Sequence, residues 1–463
     1  MDQFIEFINT IRDFLWDIIL IFLLIGTGVF YTIRTKFVQF RYFRKSFKLT
    51  FGNIAFFGEK ADDEGMTSFQ SLMTSIAAQI GTGNLAGVAT AMVLGGPGSI
   101  LWMWISAVLG MAIIYSEATL SQIYRGRRGG QVVGGPVFYI KKAFKGRVGQ
   151  VMAAMFAVFI ILALGFMGNM VQSNSVGNAF EAAFNIPAWL SGLVFGVAGL
   201  YVFLGGRQRV AAVTEKVVPT MAVFFSIVSI VVVMINYKAI PEAFKDIFLG
   251  AFNPEAVLGG ILGVTVRQAM RYGVARGLFT HEAGMGSTPH AHALAKVKHP
   301  ADQGLVAMMG VFIDTIVLLP MTVLVILTTN SLGAMENGAF LDGIELTQHA
   351  YSQTMGAFGY PFIAICVALF AYATCIGWYF FGEANVEYLF GKKAVPMYAV
   401  LVAVFMFVGC ILKVELVWSL ADLFNGFMVI PNVLALLMLH KVIAKHTKEY
   451  DQGLPYQPEE DAF

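Results

Sequence analysis

Gln79-Ile80-Gly81-Thr82-Gly83-Asn84 interrupts an otherwise membrane-spanning segment that runs from about Phe69 to Leu94. Lipid supplies no hydrogen bonds, so a helix is broken at depth only where the freed backbone groups face a cavity or a ligand. Two glycines around a threonine each cost the helix roughly 1 kcal/mol and leave N–H and C=O groups open. With entry near Phe69, Gly81 lies 12 residues in, about 18 Å at the helical rise and close to the bilayer midplane. A small polar solute held at mid-depth by a discontinuous helix is the reading this stretch supports.

Outside it the chain is apolar. Of 463 residues, 57% are hydrophobic and 13% charged, against about 25% charged in a soluble domain, so the chain is expected to be an all-α integral protein of a lipid bilayer. The formal net charge of +2 gives no reason to propose nucleic acid as a partner. Cys366, Cys375 and Cys410 all sit in apolar segments and have neither a disulfide nor a metal-ligand pattern. The stretch Met1 to Asp17 is amphipathic and lacks the basic start and small-residue cleavage site of a signal peptide.

At about 20 residues per crossing, eleven spans are expected: a leading helix at about 12–34, then ten beginning near Phe69, Gly98, Gly149, Pro187, Val210, Val257, Gly304, Gly359, Val395 and Leu416. Of the 31 lysines and arginines, 24 fall on alternate loops and 4 on the opposite set, which places the N-terminus outside and the C-terminus in the cytoplasm. No linker divides the chain, so residues 1–463 form one membrane domain. Its polar tail at about 443–463 is expected to be mobile from Lys445 onward.

Ten spans after the leading helix make two groups of five, about 69–236 and 257–442, and an odd number forces the second group to enter in the opposite sense. In such inverted repeats the first helix of each half is discontinuous, so the sixth core span should break as well. Gly273-Val274-Ala275-Arg276-Gly277-Leu278-Phe279-Thr280 followed by Glu282-Ala283-Gly284-Met285-Gly286 supplies the glycines. The competing account is that these glycines only let helices approach closely.

The first break offers two kinds of site. The outer half-helix, if it starts at Thr82, aims the N–H groups of Thr82, Gly83 and Asn84 and a positive dipole end inward, which suits a carboxylate. The inner half ends in carbonyls, including those of Ala77 and Ile80, which suit a hard cation. In the eighth core span, Ala371, Thr374 and Cys375 share a helix face by their i, i+3, i+4 spacing, and offer a carbonyl, a hydroxyl and a thiol to that cation. Thr374 has a second reading, a hydroxyl bonded back to its own helix. A solute with a carboxylate, carried with sodium, uses both holes. Gln172 is the choice for a hydrogen bond to the solute, with Asn169, Asn174 and Asn178 as interhelical contacts. Trp378 is either a wall over the solute or an interfacial anchor. The intramembrane acids Glu117 and Asp314 either carry protons or neutralise an arginine of the sixth core span. Around Gly81, Gly83, Gly277, Phe279 and Trp378 the sequence offers backbone and rings but no unpaired acid or base, so the solute's side chain is expected to be small and neutral.

Enzyme and channel are the rival classes. His281-Glu282 is not a zinc-protease motif, because position 285 is Met where a second histidine is required, and no nucleophile has an evident base. A single chain with inverted halves argues for alternating access over a pore.

Ile80-Gly81-Thr82-Gly83-Asn84-Leu85-Ala86-Gly87-Val88-Ala89-Thr90-Ala91, Leu94-Gly95-Gly96-Pro97-Gly98, Gly134-Gly135-Pro136, Gly168-Asn169-Met170-Val171-Gln172 and Arg276-Gly277-Leu278-Phe279-Thr280-His281-Glu282-Ala283-Gly284-Met285-Gly286-Ser287 closely resemble the alanine or glycine:cation symporter family. The resemblance runs from the leading helix to the segment Trp418 to Asn432. It implies the five-plus-five inverted fold of sodium-coupled amino-acid transporters with one helix added in front, a cell-membrane location, and uptake of alanine or glycine driven by sodium or, less often, by protons. It implies no cofactor beyond the cotransported ion. Carried over by motif, the substrate contacts fall on Gln79, Thr82, Gly83, Asn84, Gln172, Phe279, Thr280 and Trp378, and the sodium site on Ala77, Ile80, Ala371, Thr374 and position 375.

Two departures from the family pattern stand out. Cys375 replaces a usual hydroxyl residue, and sulfur is a poor ligand for a hard cation, so weaker sodium binding, another ligand or partial replacement by a proton is expected. Thr280-His281-Glu282-Ala283-Gly284 stands where relatives read Ser-Asn-Glu-Ala-Gly. His281 is either a pH-sensitive group or a surface histidine at the cytoplasmic end.

Overall fold

Helix α1, Glu6–Arg34, starts earlier than the expected residue 12 and passes through a π-turn at Leu15–Leu20. The computed structural model describes residues 2–52, 65–128, 131–253, 264–336 and 338–458. After α1 comes the amphipathic α2, Phe43–Phe51. The first interrupted span follows as α3, Ser68–Gln79, and α4, Ala86–Gly95, with a single 3-10 turn at Thr82–Asn84 between them. Then come α5, Ser99–Ile123, a small hairpin of β1, Gly126–Arg128, and β2, Gln131–Val133, the short α6, Pro136–Ala143, and the long α7, Gly146–Phe184. Helices α8, Ala188–Phe203, α9, Gly206–Ile235, and α10, Ile240–Gly250, complete the first half.

The second half opens with α11, Val266–His281, and the one-turn α12, Pro289–His292; the expected start near Val257 lies outside the described residues. It continues through α13, Pro300–Thr328, the strand pair β3, Met335–Glu336, and β4, Ala339–Phe340, α14, Gly343–Met355, and α15, Gly359–Phe390. Helices α16, Val395–Ile411, α17, Val414–Met438, and α18, His440–Asp451, close the chain.

Both broken spans begin alike. Thr67 and Gln70 form a capping box at the start of α3, and Thr265 and Gln268 form one at the start of α11, each satisfying orphan N–H groups of a first turn. They run in opposite directions: Met66, just before α3, makes a parallel bridge with Ala295, just after α12, so one span begins where the other ends. Among the described residues eight helices are long and apolar enough to cross a membrane alone. The two interrupted spans and the 16-residue α8 are shorter. Helices α8, α9 and α16 turn large apolar side chains outward, Val194, Val197, Ile227, Ile230, Val400 and Val404 among them, as lipid-facing helices do.

Two expectations are corrected here. The stretch Gly273 to Thr280 is unbroken helix inside α11, and its glycines serve close packing: a Cβ at Gly273 would lie 2.4 Å from the Ser99 carbonyl oxygen, and one at Gly277 2.6 Å from Ser106 Oγ. The tail does not leave the bundle at Lys445. Helix α18 packs against it with Ile443, His446 and Thr447 buried, tied down by Tyr115 Oη to Thr447 Oγ1 at 3.0 Å and Tyr42 Oη to Asp451 Oδ1 at 2.6 Å.

Candidate functional site

Helix α3 ends because Gly81 takes an extended conformation and Ile80 donates the last regular bond, to the Ile76 carbonyl at 2.8 Å. The second half-helix of this span begins at Ala86 and not at Thr82: the Asn84 N–H closes a tight turn onto the Gly81 carbonyl at 3.2 Å, and the Thr82 N–H donates to Gln172 Oε1 at 3.0 Å. At the end of α3, the Thr374 hydroxyl donates to the carbonyls of Ala77 at 2.9 Å and Ile80 at 3.2 Å, so it is not bonded back to its own helix. Three oxygens from α3, its cap and α15 thus converge on one point. Ala371 and Cys375 are fully buried on the same helix. Only glycine fits at the turn, because a Cβ at Gly81 would lie 2.5 Å from Thr374 Oγ1 and 2.9 Å from Gln172 Oε1.

The second break is built differently. Glu282 takes the left-handed conformation, φ 57°, at the end of α11, and residues 282–288 stay non-helical up to the one-turn α12. The orphaned N–H groups of the break go to side chains: His281 Nδ1 accepts from Ala283 N at 3.1 Å, and the Glu117 carboxylate accepts from Gly284 N and Gly286 N, both at 3.1 Å, and from Asn432 Nδ2 at 2.6 Å. His281 is therefore no surface group; it is 2% exposed, with Nε2 3.2 Å from Ser106 Oγ, because its ring closes the helix end. Gln79 joins the breaks, its Nε2 donating to the His281 carbonyl at 2.8 Å. Gln79 is thus turned toward the second break and α13, where a Cβ at Gly310 would lie 2.7 Å from its Oε1.

Gly83 and Thr280 bring the two spans into contact, a Cβ on the glycine lying 2.6 Å from Thr280 Oγ1. Above them the Phe279 ring stands edge-on to Trp378 at 5.5 Å and tilted against Trp418 at 5.0 Å. Trp378 is 1% exposed and its Nε1 donates to Glu282 Oε1, so it is held inside the bundle and is no interfacial anchor. Beyond Trp418 lies a cavity of about 500 Å³ lined by Arg12, Thr90, Asn178, Asp342 and Trp418 among others. None of the residues expected at the substrate lines it. Arg276 lines this cavity too, its guanidinium over the Trp418 ring at 4.3 Å and bonded to Asp422.

The arginines of the second broken span are all neutralised, but not by Glu117 or Asp314. Arg276 pairs with Asp422, Arg271 with Asp13 and Asp17, and Arg267 with Asp17. Asp314 instead accepts from Asn84 Nδ2 at 2.8 Å and Thr315 Oγ1 at 2.6 Å. Asn174 donates to the Gly409 carbonyl of the neighbouring α16 and to that of Leu412 just past its end, both at 2.8 Å, whereas Asn169 bonds back to Gly165 at 3.1 Å. Sequence reasoning passed over Glu282, Trp418 and Asp422; only Glu282 carried a signal, an acid set inside a glycine-rich interruption.

Four of the residues expected at the substrate hold a buried polar atom without a partner: Gln79 Oε1, Thr82 Oγ1, Asn84 Oδ1 and Gln172 Nε2. Buried polar groups are nearly always satisfied, and a polar ligand at this break would satisfy these four.

The geometry has matching relatives. A family model described as the sodium:alanine symporter family matches residues 1–462. The chain is 39% identical to the sodium/alanine symporter AgcS of Methanococcus maripaludis over 97% of its own length and 98% of that protein's. It is also 39% identical to the probable sodium/glutamine symporter GlnT of Bacillus subtilis, over 97% and 91%. Among solved structures, the crystal structure of MhsT in complex with L-phenylalanine superposes with a TM-score of 0.57 at 12% identity, covering 85% of this chain and 99% of that one, and so carries the same fold.

Proposed function

We propose that this chain, which belongs to the sodium:alanine symporter family, imports a small neutral amino acid such as alanine or glycine with sodium, by alternating access around the two helix breaks. It is a membrane transporter and not an enzyme. Eleven crossings of the cell membrane, with the N-terminus outside and the C-terminus in the cytoplasm, fit the eight self-sufficient helices together with the two interrupted spans and α8, and fit the basic loops.

The observation that carries this reading is the convergence of Thr374 Oγ1 on the Ala77 and Ile80 carbonyls, beside a turn whose Thr82, Asn84 and Gln172 hold unpartnered polar atoms. Sodium takes the oxygens of Ala77, Ile80, Ala371 and Thr374, with Cys375 a poor fifth. The amino acid's carboxylate takes the turn at Thr82 and Gly83, and its ammonium takes acceptors such as Asn84 Oδ1. Gln172, Phe279, Thr280 and Trp378 enclose the rest. A small side chain is favoured because Phe279 and Trp378 already stand 5.5 Å apart, and a Cβ at Gly168 would meet the Trp378 ring at 2.6 Å. The likeness to a protein named for glutamine makes the side chain the first thing to test.

Purified protein in liposomes should accumulate labelled alanine only when sodium is imposed outside, and unlabelled glycine should compete better than glutamine. Accumulation that ignores the sodium gradient, or that glutamine alone suppresses, overturns this reading. A proton in place of sodium is the second reading, favoured by the buried acids around the breaks.

A further inference from the structure

Three buried carboxylates lie about the two breaks, Glu117 of α5 and Glu282 at the second and Asp314 of α13, bonded to Asn84, at the first, and each has 0% exposure. Among the described residues no lysine, arginine or histidine pairs with any of them; Arg276, on the helix that Glu282 terminates, is spent on Asp422. Three unneutralised charges in a membrane interior are more than neutral donors sustain. Glu117 is the best held as an anion, with two backbone N–H groups and an amide. Glu282 has one indole N–H, from Trp378, on Oε1 and one hydroxyl, from Ser287, on Oε2. Asp314 has one amide and one hydroxyl. Glu282 alone of the three bonds directly to Trp378, and it sits at the left-handed residue where the helix stops, a position that strains any side chain but glycine.

We propose that Glu282 binds a proton that moves with the amino acid and its sodium; this rests on the function given above. The proton adds to Oε2, the new O–H then donates to Ser287 Oγ, and Oε1 keeps the Trp378 indole. No bond to carbon changes. An ionised Glu282 adds its charge to those of the equally buried Glu117 and Asp314, in surroundings where like charges repel strongly; the neutral acid removes it. Movement of the proton with the amino acid requires that each favour the other's binding. The titratable groups facing Glu282 are Asp314 and Glu117, whose charges bear on it, together with His281, engaged by the Ala283 N–H and Ser106, and His290, held by Asn385 and the Ser287 carbonyl. Neither histidine reaches the carboxylate.

The test uses full-length protein in liposomes holding a pH indicator, under an imposed sodium gradient, with sodium-dependent alanine binding measured in parallel from pH 5.5 to 8.5. Wild type should acidify the lumen as alanine enters, and its alanine affinity should rise about tenfold as pH falls across that range. Glu282→Gln, which keeps an acceptor for Trp378, should bind alanine with sodium at one affinity throughout and move no protons. Asp314→Asn should keep its proton movement. If Glu282→Gln does not fold, Ser287→Ala serves: the hydroxyl bonds the charged carboxylate more strongly than the neutral acid, so its loss should move the midpoint of the binding profile up by about one pH unit. Sodium-driven alanine uptake without protons in wild type sinks the proposal and leaves the function standing, as does a Glu282→Gln variant that still moves protons or an unshifted Ser287→Ala profile. No alanine uptake under any gradient sinks the function itself.

Discussion

The Arg276 guanidinium grips the Asp422 carboxylate with two parallel bonds, Nη1 to Oδ1 at 2.8 Å and Nη2 to Oδ2 at 3.0 Å, tying α11 to α17 at the floor of the cavity. The side chains are 7% and 11% exposed, so removing one charge strands the other out of water, at a cost of about 3 kcal/mol or more. Asp422→Asn should lower the thermal midpoint in detergent and slow alanine uptake, and Arg276→Lys, which keeps the charge but loses the fork, should do so by less. Equal midpoints for wild type and Asp422→Asn would show that the pair does not hold the floor.

Thr374 is the proposed shared support of sodium and substrate. Its hydroxyl bridges the Ala77 and Ile80 carbonyls without contact to the expected amino-acid residues other than through that turn. Thr374→Ala should raise the sodium concentration for half-maximal uptake about tenfold, a ligand to a charge being worth ~1.5–3 kcal/mol. By reciprocity it should weaken alanine binding at limiting sodium. Cys375→Ser, replacing sulfur by a harder ligand, should shift the sodium requirement the other way. An unchanged sodium requirement in both variants removes the cation from this cluster.

The first break was legible because two glycines and three polar side chains stand in a run that is otherwise apolar, and lipid permits that only where the backbone has business. The reach of Thr374 toward the first break was legible for the same local reason. The second break was misplaced by half. Glycine composition does not separate a helix end from close packing, and what decides the matter for Gly273 and Gly277 is the nearness of Ser99 and Ser106, more than 150 residues away in the chain. The partners of the α11 arginines were equally hidden, since Asp13, Asp17 and Asp422 reach them from α1 and α17. His281 reads as a surface residue until its ring is seen to accept the Ala283 N–H.

Gly83 packs on Thr280 with no room to spare, a Cβ lying 2.6 Å from Oγ1 but 3.4 Å from the threonine Cβ. Gly83→Ala should therefore destabilise by about 1–3 kcal/mol and abolish uptake. Adding Thr280→Ala removes the clashing hydroxyl and should restore most of the stability while leaving transport low, since that hydroxyl is expected to face the substrate. Additive losses in the double variant would mean that the two residues do not meet.

The Asp451 carboxylate, near the end of α18, accepts from Tyr42 Oη at 2.6 Å and pairs with Arg41 Nη1 at 2.8 Å, while Lys45 Nζ sits 3.9 Å from the centroid of the Tyr450 ring. Burial pushes this carboxyl up, but the bonds from Arg41 and Tyr42 outweigh it and hold Asp451 below the ordinary carboxylate value. A group depressed by docking stabilises the docked state in full above its free value and loses that contribution as pH falls through the docked value. Helix α18 should thus stay seated throughout the neutral and mildly acidic range. Asp451→Asn should loosen it at neutral pH, read as faster hydrogen exchange across residues 440–451, and wild type should show the same change only on strong acidification. Exchange in Asp451→Asn as slow as in wild type would shift the anchoring to Thr447 and its bond to Tyr115 at 3.0 Å.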